Sequence, residues 1–230
     1  MRLVAFLLLA VVAAGCGGAE EPLTVFAAAS LGEVLPALDS DARYSFGGSD
    51  ELAAQIRSGA PADVYAAASP KYPAELHAEG LVETPRVFAT NELVAIVRRG
   101  LPGGLASLAR PGVKVVIAAE GVPAGDYARD ALRALGLEAV LENVVSDEAD
   151  VKGVVSKVAL GEADAGFVYA TDVEPVAGKV RVIDVPASAQ PRIEYSVAIV
   201  RPSDRARRFV ARLFGGAGRA ALREAGFGPP

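Results

Sequence analysis

Runs of three to seven largely apolar residues alternate along the chain with stretches that place apolar side chains three and four apart. The short runs predict strands at 23–26, 44–46, 62–66, 92–97, 113–118, 165–169, 179–185 and 195–200. The helical spacing predicts helices from Ser30 onward and at 51–57, 71–78, 126–135, 151–160, 204–214 and 219–225. Gly59, Gly80 and Gly136 follow three of these as stop signals. Pro36 falls inside the stretch after Ser30 and predicts a truncated helix there. Strands alternating with helices predict an α/β fold with mostly parallel sheets.

The beginning of the chain has a different pattern. Met1 and Arg2 precede an unbroken apolar run from Leu3 to Ala14. It is shorter than the ~20 residues a membrane-spanning helix needs, and it suits a signal-peptide core. Ala13, Ala14 and Gly15 then lead to Cys16, the only cysteine. This resembles a bacterial lipobox, so 1–16 is expected to be a lipoprotein-type signal peptide with Cys16 as the lipidated residue. The alternative is an ordinary signal peptide cleaved nearby. Residues 17–22 read as a polar tether. The expected location is outside the cytoplasm, in the periplasm or on the outer face of the cytoplasmic membrane.

Composition narrows the chemistry. In 230 residues, 23 Lys and Arg stand against 28 Asp and Glu, a net charge of −5 with no basic block. Nucleic acid is therefore not an expected partner. One His and one Cys exclude nearly every zinc site and any disulfide within the chain. The absence of Trp argues against a sugar-stacking platform. An enzyme is not expected either: G-x-S-x-G is missing, and the lone His77 sits in a polar helical stretch with no marked nucleophile.

Two similar pieces, FAAAS (26–30) and YAAAS (65–69), each close a predicted strand with small residues. Ligands of open α/β sheets bind beyond such strand ends. Four predicted helix starts lie at comparable places: after Ser30, after Gly47-Gly48-Ser49, after Ala68-Ser69, and at Asp150-Val151. Helix N-termini present free N–H groups and partial positive charge, so several aimed at one point would hold a dianion with neutral donors.

The motifs LTVFAAASL (23–31), SFGGSDELAAQIRSGAPADVY (45–65), NELVAIV (91–97), VPAGDYARDALRALG (122–136), VKGVVSKVALGEADAGFVY (151–169) and the terminal GF (226–227) are spread over nearly the whole chain beyond the tether. In order and spacing they resemble the molybdate-binding proteins of bacterial ABC importers. The resemblance implies a type II periplasmic binding protein fold: two α/β lobes joined by two crossing segments. Lobe I would take 23–90 plus 195–230, and lobe II 91–194. It implies molybdate or tungstate as ligand and no cofactor. The metal would be held through its oxygens, by the hydroxyls of Ser30, Ser49 and Tyr169 and the backbone amides of Ala68 and Val151. It implies a monomer that delivers its ligand to an ABC permease with its ATPase. A binding protein or sensor lipoprotein for another oxyanion, such as sulfate, is the alternative. The interval between Ser30 and Phe46 is shorter than in the family, so the rim of lobe I is expected to differ.

Overall fold

The computed structural model describes residues 21–230; the expected signal peptide with Cys16, and the expected tether up to residue 20, lie outside the described residues. Four strands come first: β1 (Thr24–Ala28), β2 (Arg43–Gly47), β3 (Val64–Ala67) and β4 (Arg86–Asn91). Five follow: β5 (Leu93–Arg98), β6 (Val115–Ala118), β7 (Val144–Glu148), β8 (Ala165–Tyr169) and β9 (Val180–Asp184). The last is β10 (Ile193–Ile199). They build two five-stranded sheets, ordered β2-β1-β3-β10-β4 and β7-β6-β8-β5-β9.

The sheets repeat one plan. β2, β1 and β3 are mutually parallel, and β10 runs antiparallel between β3 and β4. β7, β6 and β8 are likewise parallel, and β5 runs antiparallel between β8 and β9. The antiparallel strand of each sheet enters directly from the other sheet. Only Glu92 separates β4 from β5, and the return runs from Asp184 to Ile193. The two crossings are adjacent, with Asn91 opposite Ile193 and Thr90 opposite Glu194.

The central strands β3 and β6 are apolar throughout because helices cover both faces. Val64–Ala67 and Val115–Ala118 are fully buried runs. The edge strand β7, VVSDE, alternates between exposed and half-buried positions. It and β4 are absent from the sequence expectation. Both are edge strands whose polar and charged residues read as loop, whereas the edge strands β2 and β9 keep enough apolar positions to be expected.

Seven helices are described: α1 (Val34–Leu38), α2 (Ser49–Arg57), α3 (Lys71–Ala78), α4 (Pro123–Ala134), α5 (Val151–Ala159), α6 (Asp204–Phe214) and α7 (Gly216–Glu224). The expected truncation after Ser30 is seen. A single 3-10 turn, Ala29–Leu31, precedes the five-residue α1. Pro36 is its third residue, where a missing N–H costs no helical bond. α4 begins three residues before the expected position, with Pro123 in its first turn. Gly125 brings that turn against β6: a Cβ there would collide with the Ala118 and Ala119 carbonyls.

Candidate functional site

The three parallel strands of each sheet end at the same cleft. From the first sheet, β1 leads to Ser30, β2 to Gly48 and Ser49, and β3 to Ala68. From the second, β6 leads to Val122–Ala124, β7 to Asp150 and Val151, and β8 to Tyr169. These ends line a small cavity of about 10 Å³. Ser30, Ser49, Ala68, Val151 and Tyr169 all line it.

The lobes meet around this cavity. Gly48 packs so closely on the second lobe that a Cβ would lie 2.5 Å from the Ala149 carbonyl oxygen. Its φ of −61° is ordinary, so the close approach, not the backbone angle, requires glycine. Tyr72 Oη on α3 donates to the Gly121 carbonyl across the cleft.

Each expected residue has a defined role in this geometry. Ser49 opens α2, and its Oγ accepts a hydrogen bond of 3.1 Å from the Ala68 amide. The Ala68 amide, expected to face the ligand directly, is thus already engaged by Ser49. Ser30 does not stand ahead of a longer helix as expected. It sits within the 3-10 turn, and its Oγ lies 2.8 Å from Tyr195 Oη. Val151 opens α5, and Asp150 caps that helix by accepting from the Gly153 amide at 3.0 Å. Val151 N–H itself donates to no backbone oxygen among the described residues. Tyr169 is 1% exposed, and its hydroxyl has no partner among the described residues. Burial holds its pKa well above the usual phenol value, so it stays a neutral donor.

Sequence reasoning missed the amide of Ala124. α4 begins with no side-chain cap, and Ala124 N–H has no backbone acceptor among the described residues. The signal was the Pro123-Ala124-Gly125 run: proline at a helix start followed by small residues. Tyr195 and Asn91, behind Ser30, were missed as well.

No Lys or Arg lines the cavity. Lys152, next to Val151, is tied by an ion pair of 3.0 Å to Asp172, which is fully buried. Burial raises the pKa of Asp172, with Lys152 opposing the rise. Three helix N-termini and the hydroxyls favour an anion there, opposed by the Asp150 carboxylate, which lines the cavity and is held on the Gly153 amide. A larger open hollow elsewhere involves Arg201 and Arg205, but Arg201 pairs with Asp63 at 2.9 Å and Arg205 donates to the Glu21 carbonyl. His77 lies on the exposed side of α3, with its Nδ1 3.0 Å from the Val82 carbonyl oxygen, and has no place at the cleft.

Comparison with known proteins agrees with this geometry. A family model described as bacterial extracellular solute-binding protein matches residues 23–228. The chain is 37% identical over 224 residues to the molybdate-binding protein ModA of Mycobacterium tuberculosis, spanning 90% of this chain and 85% of that one. It is 33% identical over 220 residues to ModA of Haemophilus influenzae, covering 86% of each. Its fold matches the periplasmic molybdate-binding protein of Azotobacter vinelandii with a TM-score of 0.80 at 26% identity, covering 90% of this chain and 99% of that one. The two lobes form a type II binding protein fold.

Proposed function

The chain belongs to the bacterial extracellular solute-binding protein family, and from that premise we propose that it captures molybdate or tungstate between its lobes and hands it to an ABC permease. The observation that carries this reading is the cavity itself: it has no cationic side chain, yet helix N-termini and hydroxyls converge on it, and one buried hydroxyl is unpartnered. A buried phenol without an acceptor costs about 1–3 kcal/mol, and a tetrahedral oxyanion would supply the acceptor. The relatives named above, whose names record molybdate binding, support the choice of anion.

In this proposal Ser30, Ser49 and Tyr169 donate through hydroxyls, and Val151 and Ala124 through amides. Ala68 acts through Ser49. Lobe I comprises 23–90 with 195–230, and lobe II comprises 91–194. Ligand contacts from both lobes favour the closed arrangement over the open one. These donors penalise a protonated anion such as hydrogen phosphate wherever its proton meets one of them, and the Asp150 carboxylate that also lines the cavity is engaged at Oδ1 by the Gly153 amide. The protein acts as a carrier, not a catalyst, and as a monomer. No helix among the described residues is long and apolar enough to cross a membrane; lipid on Cys16 would tether the chain to the membrane surface.

A thermal-shift series on the chain lacking residues 1–16 tests the reading. A ligand present at about 100 times its Kd adds about 2.7 kcal/mol, which raises Tm by about 5–10 °C for a chain of this size. Molybdate and tungstate should give that shift, and sulfate and phosphate should not. A folded, ligand-free sample that none of the four anions shifts overturns the proposal.

A further inference from the structure

The donor sense of Ser30 is set by a buried chain of hydrogen bonds that begins at the crossing between the lobes. Asn91, the last residue of β4, accepts from the Glu92 amide at Oδ1, 2.9 Å away. A backbone amide can only donate, so this contact fixes which end of the Asn91 side chain is oxygen. Its Nδ2 then has two hydrogens to place. One goes to Thr171 Oγ1 at 2.9 Å and the other to Tyr195 Oη at 3.3 Å. Tyr195 is fully buried, and its hydroxyl has one proton of its own. Ser30 Oγ, 2.8 Å away, is the acceptor available to it among the described residues. Leaving that proton unbonded would cost the full desolvation of a donor. Ser30 Oγ is thereby committed as an acceptor from Tyr195, and its own hydrogen is left for the cavity that Ser30 lines.

Ser49 is arranged in parallel. The Ala68 amide donates to its Oγ at 3.1 Å, which again leaves the serine hydrogen for the cavity. In each case an obligatory N–H donor starts the chain and occupies one lone pair of the serine oxygen, which favours turning the hydroxyl hydrogen toward the cavity.

We infer that Asn91 and Tyr195 are positioning residues for anion selectivity: they keep the Ser30 hydroxyl hydrogen turned toward the anion, which disfavours oxyanions carrying a proton. The inference rests on the proposed capture of an oxyanion and adds the residues that enforce its protonation state. Neither residue lines the cavity, so both act through Ser30. With Tyr195 replaced by Phe, Ser30 is free to rotate, donating to molybdate or accepting from hydrogen phosphate. With Asn91 replaced by Asp, the carboxylate takes the Tyr195 proton, Ser30 donates to Tyr195 Oη, and a lone pair faces the anion.

The experiment measures molybdate and phosphate affinities by competition calorimetry at mildly alkaline pH, where phosphate is the hydrogen phosphate dianion. It uses wild type, Tyr195→Phe, Ser30→Ala and Tyr195→Phe/Ser30→Ala. Tyr195→Phe should narrow the preference for molybdate over hydrogen phosphate by about tenfold, the equivalent of one misplaced hydrogen bond to a charged group. On the Ser30→Ala background the same change should leave the preference where Ser30→Ala put it. A simple packing defect would weaken both anions alike and leave the ratio unchanged, which overturns the inference. Should Tyr195→Phe not fold, Asn91→Asp provides the same reading. Its added charge opposes both dianions, so the ratio again decides: narrowing supports the relay and constancy overturns it. A wild-type protein that binds neither anion overturns the capture reading, and the relay falls with it.

Discussion

Tyr169 has the only buried side-chain hydroxyl without a partner among the described residues. At the scale of single residues, the site is a matter of where protons point. Ser49 receives one from the Ala68 amide, Ser30 receives one from Tyr195, and Tyr169 receives none. Removing the Tyr169 hydroxyl therefore takes one donor from the anion and relieves an unpaired group in the empty protein. Tyr169→Phe should weaken molybdate binding by about 1–3 kcal/mol, the scale of one hydrogen bond to a charged partner. The ligand-free protein should lose no stability. Calorimetry that returns wild-type affinity would remove Tyr169 from the site.

At the scale of elements, three helices meet the cleft with their N-termini: α2 and α5 of nine residues each and α4 of twelve. Each follows a strand whose end it continues, and each brings unsatisfied amides and partial positive charge to the same place. α2 reaches the opposite lobe only because position 48 lacks a side chain. A Cβ on Gly48 would lie 2.5 Å from the Ala149 oxygen and 2.7 Å from Asp50 Oδ1. Alanine tolerates the backbone angles of Gly48, so Gly48→Ala should fold normally and hold the lobes apart. The overpacking against Ala149, at a cost of about 1–3 kcal/mol, falls on the closed state alone, whereas Asp50 Oδ1, in the same lobe as Gly48, is the end of a side chain that can turn aside in either state. Molybdate affinity should drop by that amount while the melting curve of the ligand-free protein stays within a degree or so of wild type. An undiminished affinity would mean that closure does not need this contact.

At the scale of the whole molecule, two lobes of matching plan are joined by adjacent crossing strands and touch across the cleft. Besides the Gly48 contact, the Tyr72 hydroxyl on α3 bonds to the Gly121 carbonyl of the other lobe. Burial, assisted by Asp50, pushes the Tyr72 pKa up to about 12, so it remains a donor at any physiological pH. Tyr72→Phe removes one inter-lobe bond worth about 0.5–1.5 kcal/mol. The closed state should loosen, with molybdate leaving a few-fold to about tenfold faster in stopped-flow measurements. An unchanged release rate would show that this bond does not restrain opening.

Much of this molecule is legible in its residues. Strands buried on both faces must be apolar in every position, so β3, β5, β6 and β8 stand out, and amphipathic spacing marks α3 and α6 with the bounds observed. Edge strands are another matter. β4 and β7 have polar and charged positions because one side faces water, and nothing in their pattern separates them from loop. The serines and small residues at strand ends pointed to the cleft, since local capping and turn chemistry is encoded over a few residues. What those groups do there is not local. Ser30 meets Tyr195 from 165 positions away, Ser49 engages the amide of Ala68 across 19 positions, and Gly48 meets Ala149 only when two lobes close. Sequence alone determined the strand-and-helix order and the residues that could hold an oxyanion. The tertiary structure decided which of them keep a free proton, because a hydroxyl has one hydrogen to give and its neighbours in space determine where that hydrogen goes.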